Sequence, residues 1–381
     1  MKKSLISIAI LGALSNVAMA QSNVTMYGIV DAGVTAERGG VRGNVTKATS
    51  GAASASRIGF KGTEDLGGGL SAIFKLEAGV RVDSGELDNS SNRLFNREAY
   101  VGLSSKTAGT LTIGRQYTPY YETLRDVADP FALGMAGTAK NLFPVSGFST
   151  TGVTTAAQTV NNGAASGTRN DNSIVYKTPS YYGFSGALSY SVGEVAGDSS
   201  AQRQIGVSGS YTNGDLNVGI AYNNHNNDTT LVKTNEISYN TLVAVNYDFK
   251  VAKAYFAFGN NQGPNSSTIA IDSTYSAASG PYGRPVVPSD KSTNALIGVT
   301  VPVGPAGTVM ASYTRKDDKQ DLNRDADQWA VGYSYALSKR TSTYVAFAKI
   351  KNKNGASYTV GNNTEVGTGD KAFNLGVKHS F

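Results

Sequence analysis

Apolar and polar residues alternate with a period of two along most of the chain. In the segment 328–337, Trp, Val, Tyr, Tyr and Leu occupy the odd positions, and Gln, Ala, Gly, Ser and Ala occupy the even ones. The same alternation recurs at 184–192, 216–222 and 373–381. Because successive side chains of a strand point to opposite faces, this pattern predicts strands with one apolar face and one polar face.

The length and number of these segments favour a membrane barrel over a soluble sandwich. Aromatic residues cluster at the segment ends, the polar face is weakly charged, and many segments exceed the usual soluble strand of about 5–6 residues. A sheet that spans lipid has to close, because every backbone group must be paired there. We therefore predict an all-β fold, a transmembrane antiparallel β-barrel of sixteen strands at 23–35, 55–63, 69–82, 95–105, 109–116, 171–178, 183–193, 202–212, 215–224, 237–249, 252–260, 292–301, 307–315, 327–337, 341–350 and 371–381.

The connections alternate between short turns and long loops, as in outer-membrane barrels with short periplasmic turns and long extracellular loops. The long loops are expected at 36–54, 83–94, 117–170, 194–201, 225–236, 261–291, 316–326 and 351–370. The third is out of proportion, with 55 residues between Arg115 and Asp171. Its first part, Gln116–Gly134, is predicted to fold into the lumen, while its Ser/Thr-rich part, Ser146–Gly167, is expected to be flexible.

The N-terminus has the features of a secretory signal peptide. Lys2 and Lys3 precede a short apolar core, and Ala18-Met19-Ala20 fits the small-x-small cleavage pattern. We therefore expect residues 1–20 to be a signal peptide and residues 21–381 to be the barrel domain. Removing the two lysines lowers the formal net charge from +6 to +4, which is too little to indicate a nucleic-acid partner.

The composition leaves little room for catalysis. The chain has no Cys and two His, so a disulfide framework, a thiolate metal site and a cysteine nucleophile are excluded. His225 lies in an Asn-rich stretch and His379 lies on the last predicted strand, and neither has the neighbours of a catalytic group. We expect no enzyme activity, no metal site and no cofactor.

Several motifs make the chain resemble the Gram-negative trimeric porins, in particular their beta-proteobacterial branch. The resemblance covers nearly the whole mature chain and rests on these stretches: 24–33 (VTMYGIVDAG), 56–70 (SRIGFKGTEDLGGGL), 114–117 (GRQY), 172–179 (NSIVYKTP) and the terminal Phe381. It implies a sixteen-strand barrel in the cell outer membrane, a homotrimer, and a third loop folded into the pore. It also implies that Phe381 is a signal to the barrel-assembly machinery.

The resemblance further implies a constriction where arginines on the barrel wall face acids on the third loop. The family's wall arginines match Arg57, Arg97, Arg115 and Arg169. Where the family often has Pro-Glu-Phe-Gly-Gly, this chain reads Asp129-Pro130-Phe131-Ala132-Leu133-Gly134, without a Glu after the proline. The acidic side of the constriction then rests on the remaining loop acids, which are Glu122, Asp126 and Asp129.

Periodicity supports only part of this assignment. Arg57 and Lys61 alternate with the apolar Ile58 and Phe60, so they are predicted to face the lumen. By the same argument, Arg169 faces the lumen because Ile174 and Tyr176 face lipid. Periodicity does not settle Arg97, which shares a face with apolar residues, and Arg115 turns inward only with a bulge at Gly114.

The predicted function is passive diffusion of small hydrophilic solutes and ions through a water-filled channel, with a preference for anions. Arginine is always charged, and a narrow lumen lined by it attracts anions. One alternative is a substrate-selective porin for phosphate or organic anions, and another is a non-channel surface β adhesin. Outer-membrane lipid and lipopolysaccharide are the expected surroundings of the barrel.

Overall fold

A computed structural model describes residues 23–88, 93–144, 168–228, 233, 236–267, 269–272 and 274–381. The expected signal peptide and the stretch Ser146–Gly167 lie outside these residues. The regular secondary structure of the described chain is nearly all strand: β1 (Asn23–Gly40), β2 (Gly43–Ser50), β3 (Arg57–Gly67), β4 (Leu70–Gly79), β5 (Glu98–Ser105), β6 (Gly109–Tyr117), β7 (Arg169–Lys177), β8 (Phe184–Ser191), β9 (Gln204–Asn213), β10 (Leu216–Asn226), β11 (Ile237–Asp248), β12 (Lys253–Ser267), β13 (Ser289–Val303), β14 (Gly307–Asp318), β15 (Ala326–Ala336), β16 (Thr341–Asn352) and β17 (Lys371–Ser380).

These strands form one closed antiparallel barrel. From β3 onward each strand pairs with the next, and β17 pairs with β1 through ten residue pairs between Ile29–Arg38 and Lys371–Ser380. On its other side, the C-terminal part of β1 pairs with β2 and its N-terminal part pairs with β3. Strands β2 and β3 therefore occupy one barrel position together. The described residues thus form sixteen barrel positions, which confirms the prediction.

The expected loop at 36–54 is wrong. Strand β1 continues to Gly40, and β2 returns along it from Gly43 to Ser50. Likewise β12 extends to Ser267 and β13 begins at Ser289, inside the expected loop 261–291. Above the lipid the outer face of a strand can be polar, so the apolar alternation ends while the hydrogen-bond ladder continues. The short turns at the opposite rim lie where they were predicted.

The two faces of the barrel differ as they must in lipid. Outward side chains such as Ile113, Ile220, Val243, Ile297 and Trp329 are exposed and apolar. Inward positions of the same strands hold buried polar residues, including Asn240, Asn246, Asn294, Gln328 and Asn374. An apolar exterior with a polar interior is the arrangement of a transmembrane barrel and excludes the soluble sandwich of a surface adhesin. In the described residues we find no helix that is apolar and long enough to cross a bilayer.

The described parts of three extracellular loops turn inward and meet in the barrel. We call residues 118–168 the third loop, residues 268–288 the sixth loop and residues 353–370 the eighth loop. Together with the inner wall of β14–β17 they form one apolar cluster, whose loop members are Phe131, Met135, Ala136, Leu142, Ile269, Ile271, Tyr275, Val286, Ala356, Tyr358 and Val360. The lumen is therefore filled along β14–β17, and the space that the loops leave in the lumen is called the passage below.

The candidate constriction of the barrel

The third loop enters the lumen as a short ordered segment. Helix α1 (Pro119–Thr123) begins after Thr118, whose Oγ1 accepts a hydrogen bond from the Tyr121 backbone N–H at 3.2 Å. Proline at the first helical position fits this start. A single π-helical turn, Leu124–Ala128, continues it. The apolar side chains of this segment are buried against inward residues of β10–β13, namely Ala221, Leu242, Ala244, Ala257 and Leu296.

Glycines on the inner wall make room for this loop. A Cβ at Gly219 would lie 2.8 Å from Thr123 Cγ2. A Cβ at Gly298 would lie 2.7 Å from Pro130 Cγ, and one at Gly332 would lie 2.8 Å from the Phe131 ring. Such distances are shorter than normal carbon contacts, so any other residue at these positions would displace the loop from the wall.

Side-chain amides of the wall hold the backbone of the loop. Asn246 Nδ2 donates to the Val127 carbonyl at 2.9 Å, and Asn294 Nδ2 donates to the Leu142 carbonyl at 2.8 Å. These bonds satisfy carbonyls that the loop would otherwise bury without a partner. The prediction that the segment Gln116–Gly134 folds into the barrel is confirmed.

The three loop acids are not paired with the wall arginines predicted to face them. Glu122 pairs with Lys177 of β7 at 2.7 Å, and Asp126 pairs with its neighbour Arg125 at 2.6 Å. Asp129 is buried and accepts three backbone N–H bonds within its own loop, at 2.9–3.0 Å. Burial raises the pKa of Asp129 to about 6, although these three bonds oppose the rise. Asp129 therefore shapes the loop backbone.

Two of the predicted arginines, Arg97 and Arg169, contact Tyr117, and Arg57 lies close enough to both for their charges to act on it. The Arg97 Nη2 donates to the Tyr117 hydroxyl at 2.7 Å, and the Arg169 guanidinium lies 4.1 Å over the ring and also donates to that hydroxyl. Arg57 is held by Ser54 Oγ at 2.7 Å. Arg97 precedes β5 and turns inward, which settles the position that periodicity left open.

Sequence reasoning missed the acid that accompanies these arginines. Glu77 of β4 accepts from Arg97 Nε at 2.6 Å and lies 3.8 Å from Arg57 Nη1. It also accepts from the Tyr27 hydroxyl at 2.8 Å. Glu77 shares a strand face with Lys75, and the two alternate with the apolar Leu76. This alternation is the only sequence signal that could have indicated an inward position for Glu77.

Lys61 and Arg115 differ from the other wall cations in their surroundings. Lys61 is exposed on the lumen face, with Nζ 5.4 Å over the Tyr27 ring. The bulge required for Arg115 is present, because Gly114 has a φ of 135° and the register with β7 shifts there. Arg115 nevertheless donates to Asp171 Oδ1 at 2.6 Å, and Asp171 also accepts from Arg93. Arg115 therefore belongs to a separate ion-paired group with Asp171 and Arg93.

A cation on the loop also joins the aromatic stack. The rings of Tyr117 and Tyr121 are stacked, with centroids 4.9 Å apart and planes 7° from parallel. The Arg125 guanidinium lies 5.4 Å and 5.7 Å from these two rings, and Arg169 covers Tyr117. Stacking on rings fixes a guanidinium while leaving it charged. Arg125 is also the ion-pair partner of Asp126, so these two neighbours add no net charge to the loop.

The eighth loop and a wall segment complete the passage. Residues 51–56 between β2 and β3 leave the barrel ladder, and their backbone N–H groups at Ala53 and Ser54 donate to Asp31 Oδ2 at 2.9 and 2.6 Å. The Ala52 carbonyl accepts from the backbone N–H groups of Met135 and Asn363. One carbonyl thus joins the third loop to the eighth, which sequence patterns could not show.

Phe381 closes the barrel at the periplasmic rim. Its N–H donates to the Gly28 carbonyl at 3.1 Å, and the Gly28 N–H donates back to the Phe381 carbonyl at 3.2 Å. The Phe381 ring is 41% exposed, on the lipid face. A Cβ at Gly28 would lie 2.3 Å from its Cζ, so the ring occupies the space that glycine leaves.

Comparisons with known proteins agree with this geometry. The family model described as Gram-negative porin matches residues 7–355. An outer membrane porin protein of Bordetella pertussis is 28% identical and outer membrane porin protein 32 of Delftia acidovorans is 31% identical, each over 100% of both chains. An anion-selective porin from Comamonas acidovorans superposes with a TM-score of 0.73 at 27% identity, covering 95% of this chain and 100% of that one. The trimer form of OmpT from Vibrio cholerae, 15% identical with a TM-score of 0.63 over 94% of this chain and 99% of its own, shares the fold. The chain therefore belongs to the Gram-negative porins, the channel proteins of the outer membrane.

Proposed function

We propose that this porin lets small hydrophilic solutes diffuse passively and that it prefers anions. The observation that carries the proposal is the convergence of Arg57, Arg97 and Arg169 on one side of the passage, with Glu77 as the acid bonded among them. The acids on the third loop are bonded to Lys177, to Arg125 and to backbone N–H groups. Three arginines with one acid bonded among them give this cluster a net positive charge, although Arg97 itself is buried.

The magnitude follows from Coulomb's law. A unit charge about 10 Å from a permeating ion in water contributes about 0.4 kcal/mol, which is about two-fold in the local concentration of an ion. A fixed positive charge lowers the free energy of an anion and raises that of a cation by the same amount, and salt at about 0.1 M screens charges beyond about 10 Å. Each exposed arginine should therefore change the anion-to-cation permeability ratio by about two-fold.

The test is the reversal potential of the purified channel in planar bilayers under a KCl gradient. The double variant Arg57→Gln with Arg169→Gln should lower the chloride-to-potassium permeability ratio by about four-fold, two-fold for each charge. Arg340→Gln is the matched control, because Arg340 is exposed in the periplasmic turn between β15 and β16. An unchanged ratio in a folded double variant would remove these arginines from the selectivity of the channel.

The substrate-selective alternative is distinguished by the same recording. A porin that binds phosphate or an organic anion at these arginines should show chloride current blocked by that solute at low concentration. A diffusion channel should instead conduct the anion in proportion to its mobility. The anion-selective porin from Comamonas acidovorans supports a general anion preference.

We further propose that the mature protein begins at Gln21 and assembles as a homotrimer in contact with lipopolysaccharide. The trimer form of OmpT supports the assembly, and the small-x-small pattern at Ala18-Met19-Ala20 supports the cleavage. Electrophoresis of unheated outer membranes tests the trimer, because a trimer migrates at about three times the monomer mass. N-terminal sequencing of the purified protein tests the cleavage before Gln21.

A further inference from the structure

A lysine occupies the junction of the third and eighth loops. Lys140 lies on the short 3₁₀ turn Ala139–Asn141, and its Nζ donates to the Asn363 carbonyl of the eighth loop. Its side chain is partly buried. No described carboxylate lies within ion-pair distance of Nζ, unlike the paired cations Arg115 and Lys177.

The turn that carries Lys140 is fixed from both sides. Asn141 Nδ2 donates to Gln328 Oε1 of β15 at 2.7 Å, and Asn141 Oδ1 accepts from the Gly361 backbone N–H at 3.0 Å. Asn363 Nδ2 donates back to the Leu133 carbonyl at 2.9 Å. The ammonium group therefore has a defined place where the third and eighth loops meet, within reach of the charges of Arg97 and Arg169.

The charges around Lys140 come from several elements. Arg97 and Arg169 of the wall act on it with the same sign, and Asp129 of its own loop and Asp88 of the loop after β4 act with the opposite sign. In the eighth loop, the acid nearest in sequence to Asn363 is Glu365, whose carboxylate pairs with Lys47 at 3.2 Å. Wall residues 51–56 hold no titratable side chain.

We propose that Lys140 is a specificity-determining residue of the channel whose protonation sets the strength of the anion preference near neutral pH. When it is charged, the loop side of the constriction adds a positive charge to those of Arg97 and Arg169. When it is neutral, only the wall charges remain. This inference rests on the proposed anion preference and deepens it.

The direction of the pH dependence follows from the environment of the ammonium group. Burial, together with Arg169 and Arg97, lowers the pKa of Lys140 to about 7. Lys140 is then mostly charged at pH 6 and mostly neutral at pH 8. The chloride-to-potassium permeability ratio should therefore fall by about two-fold as the pH rises through 7, the amount expected for one screened unit charge.

The experiment is a pH series of reversal potentials, from pH 6 to pH 9, on the wild-type channel and two variants. In Lys140→Arg the charge is permanent, so the ratio should stay at the low-pH value of the wild type. In Lys140→Gln the ratio should stay at the high-pH value. A change centred near pH 6 that remains in both variants belongs to Asp129, which titrates in the same direction. Lys339→Gln, an exposed lysine of the periplasmic turn after β15, is the matched control and should keep the wild-type profile.

Two outcomes overturn the inference: a wild-type ratio that does not change between pH 6.5 and 8, and a change centred near pH 7 that persists in both Lys140 variants. If the wild type prefers anions at every pH without this change, only the role of Lys140 fails. If it shows no anion preference at any pH, the proposed function fails.

A second measurement needs no variant. Competitive acetylation of the folded wild-type channel in detergent, read by mass spectrometry, should give half-maximal labelling of the Lys140 amine near pH 7. Half-maximal labelling above pH 9.5 would overturn the inference.

Discussion

Arg97 and Glu77 form a buried ion pair at the constriction, with Arg97 Nε 2.6 Å from Glu77 Oε1 and exposed fractions of 6% and 1%. Breaking a buried pair leaves one charge without compensation. Glu77→Gln should therefore destabilise the folded channel by about 3 kcal/mol and also raise its anion preference, because a negative charge is removed.

Stability is measured as the temperature at which the folded form is lost on electrophoresis, and selectivity as the reversal potential. Glu86→Gln is the matched control, since Glu86 is exposed in the loop after β4. A Glu77 variant with wild-type stability would show that Arg97 is sufficiently compensated by Tyr117 alone.

The glycines under the third loop predict a second effect. In Gly219→Val, the added carbon atoms collide with Thr123 and Val127, so α1 must move away from the wall and towards the passage. Single-channel conductance should fall while the barrel stays folded. Gly209→Val on the lipid face of the neighbouring strand β9 is the control, because its Cβ would meet a first atom at 3.5 Å. Equal conductance in both variants would show that α1 does not border the passage.

Truncation of the loops tests how the bore is shared among them. Removing Tyr120–Leu133 should raise single-channel conductance and the uptake of bulky sugars, because this segment lies inside the barrel. The eighth loop is anchored separately, since Glu37 Oε2 accepts from the Thr368 N–H and hydroxyl at 3.1 and 2.6 Å. Removing residues 356–363 as well should raise the conductance further. An unchanged conductance in a folded third-loop truncation would contradict a constriction made by that loop.

The terminal pair Gly28 and Phe381 predicts an assembly defect. Deleting Phe381 removes both closing backbone hydrogen bonds and the ring, so the amount of folded protein in the outer membrane should fall several-fold. Gly28→Val should produce a similar loss, since its side chain would take the place of the ring. Phe381→Leu separates two explanations: wild-type surface levels would mean that any apolar terminal residue suffices, and the aromatic ring is then no signal.

The barrel itself could be predicted from the sequence because lipid imposes a strict rule on outward side chains. In β3 the apolar Ile58 and Phe60 identify the lipid face, and the alternating positions Arg57 and Lys61 are thereby assigned to the lumen face. The rule fails above the lipid, where the outward residues Asn44 and Thr46 of β2 are polar, so this strand resembled a loop.

The contents of the lumen were harder to predict, because they depend on contacts between residues far apart in the chain. The position of Lys140 depends on Asn363, 223 residues later. The pairing of Arg97 depends on Glu77 of the neighbouring strand β4, 20 residues earlier. The resemblance to porins assigned Arg57, Arg97 and Arg169 to the wall of the constriction, and the structure places them around Glu77 and Tyr117, while their role in selectivity stays a prediction. It did not indicate that the loop acids would be bonded to other partners.

The closure of β17 on β1 has a genetic consequence. A chain ending anywhere before the last strand would leave two unpaired strand edges in lipid, where each unsatisfied backbone group costs several kcal/mol. No shorter pore is available as a partial product, because the ten residue pairs with β1 come entirely from Lys371–Ser380. A single nonsense codon even a dozen positions from the end should therefore abolish the channel as completely as a deletion of the gene. A cell could lose this permeability in one mutational step, whereas changes in the inward loops would only adjust it.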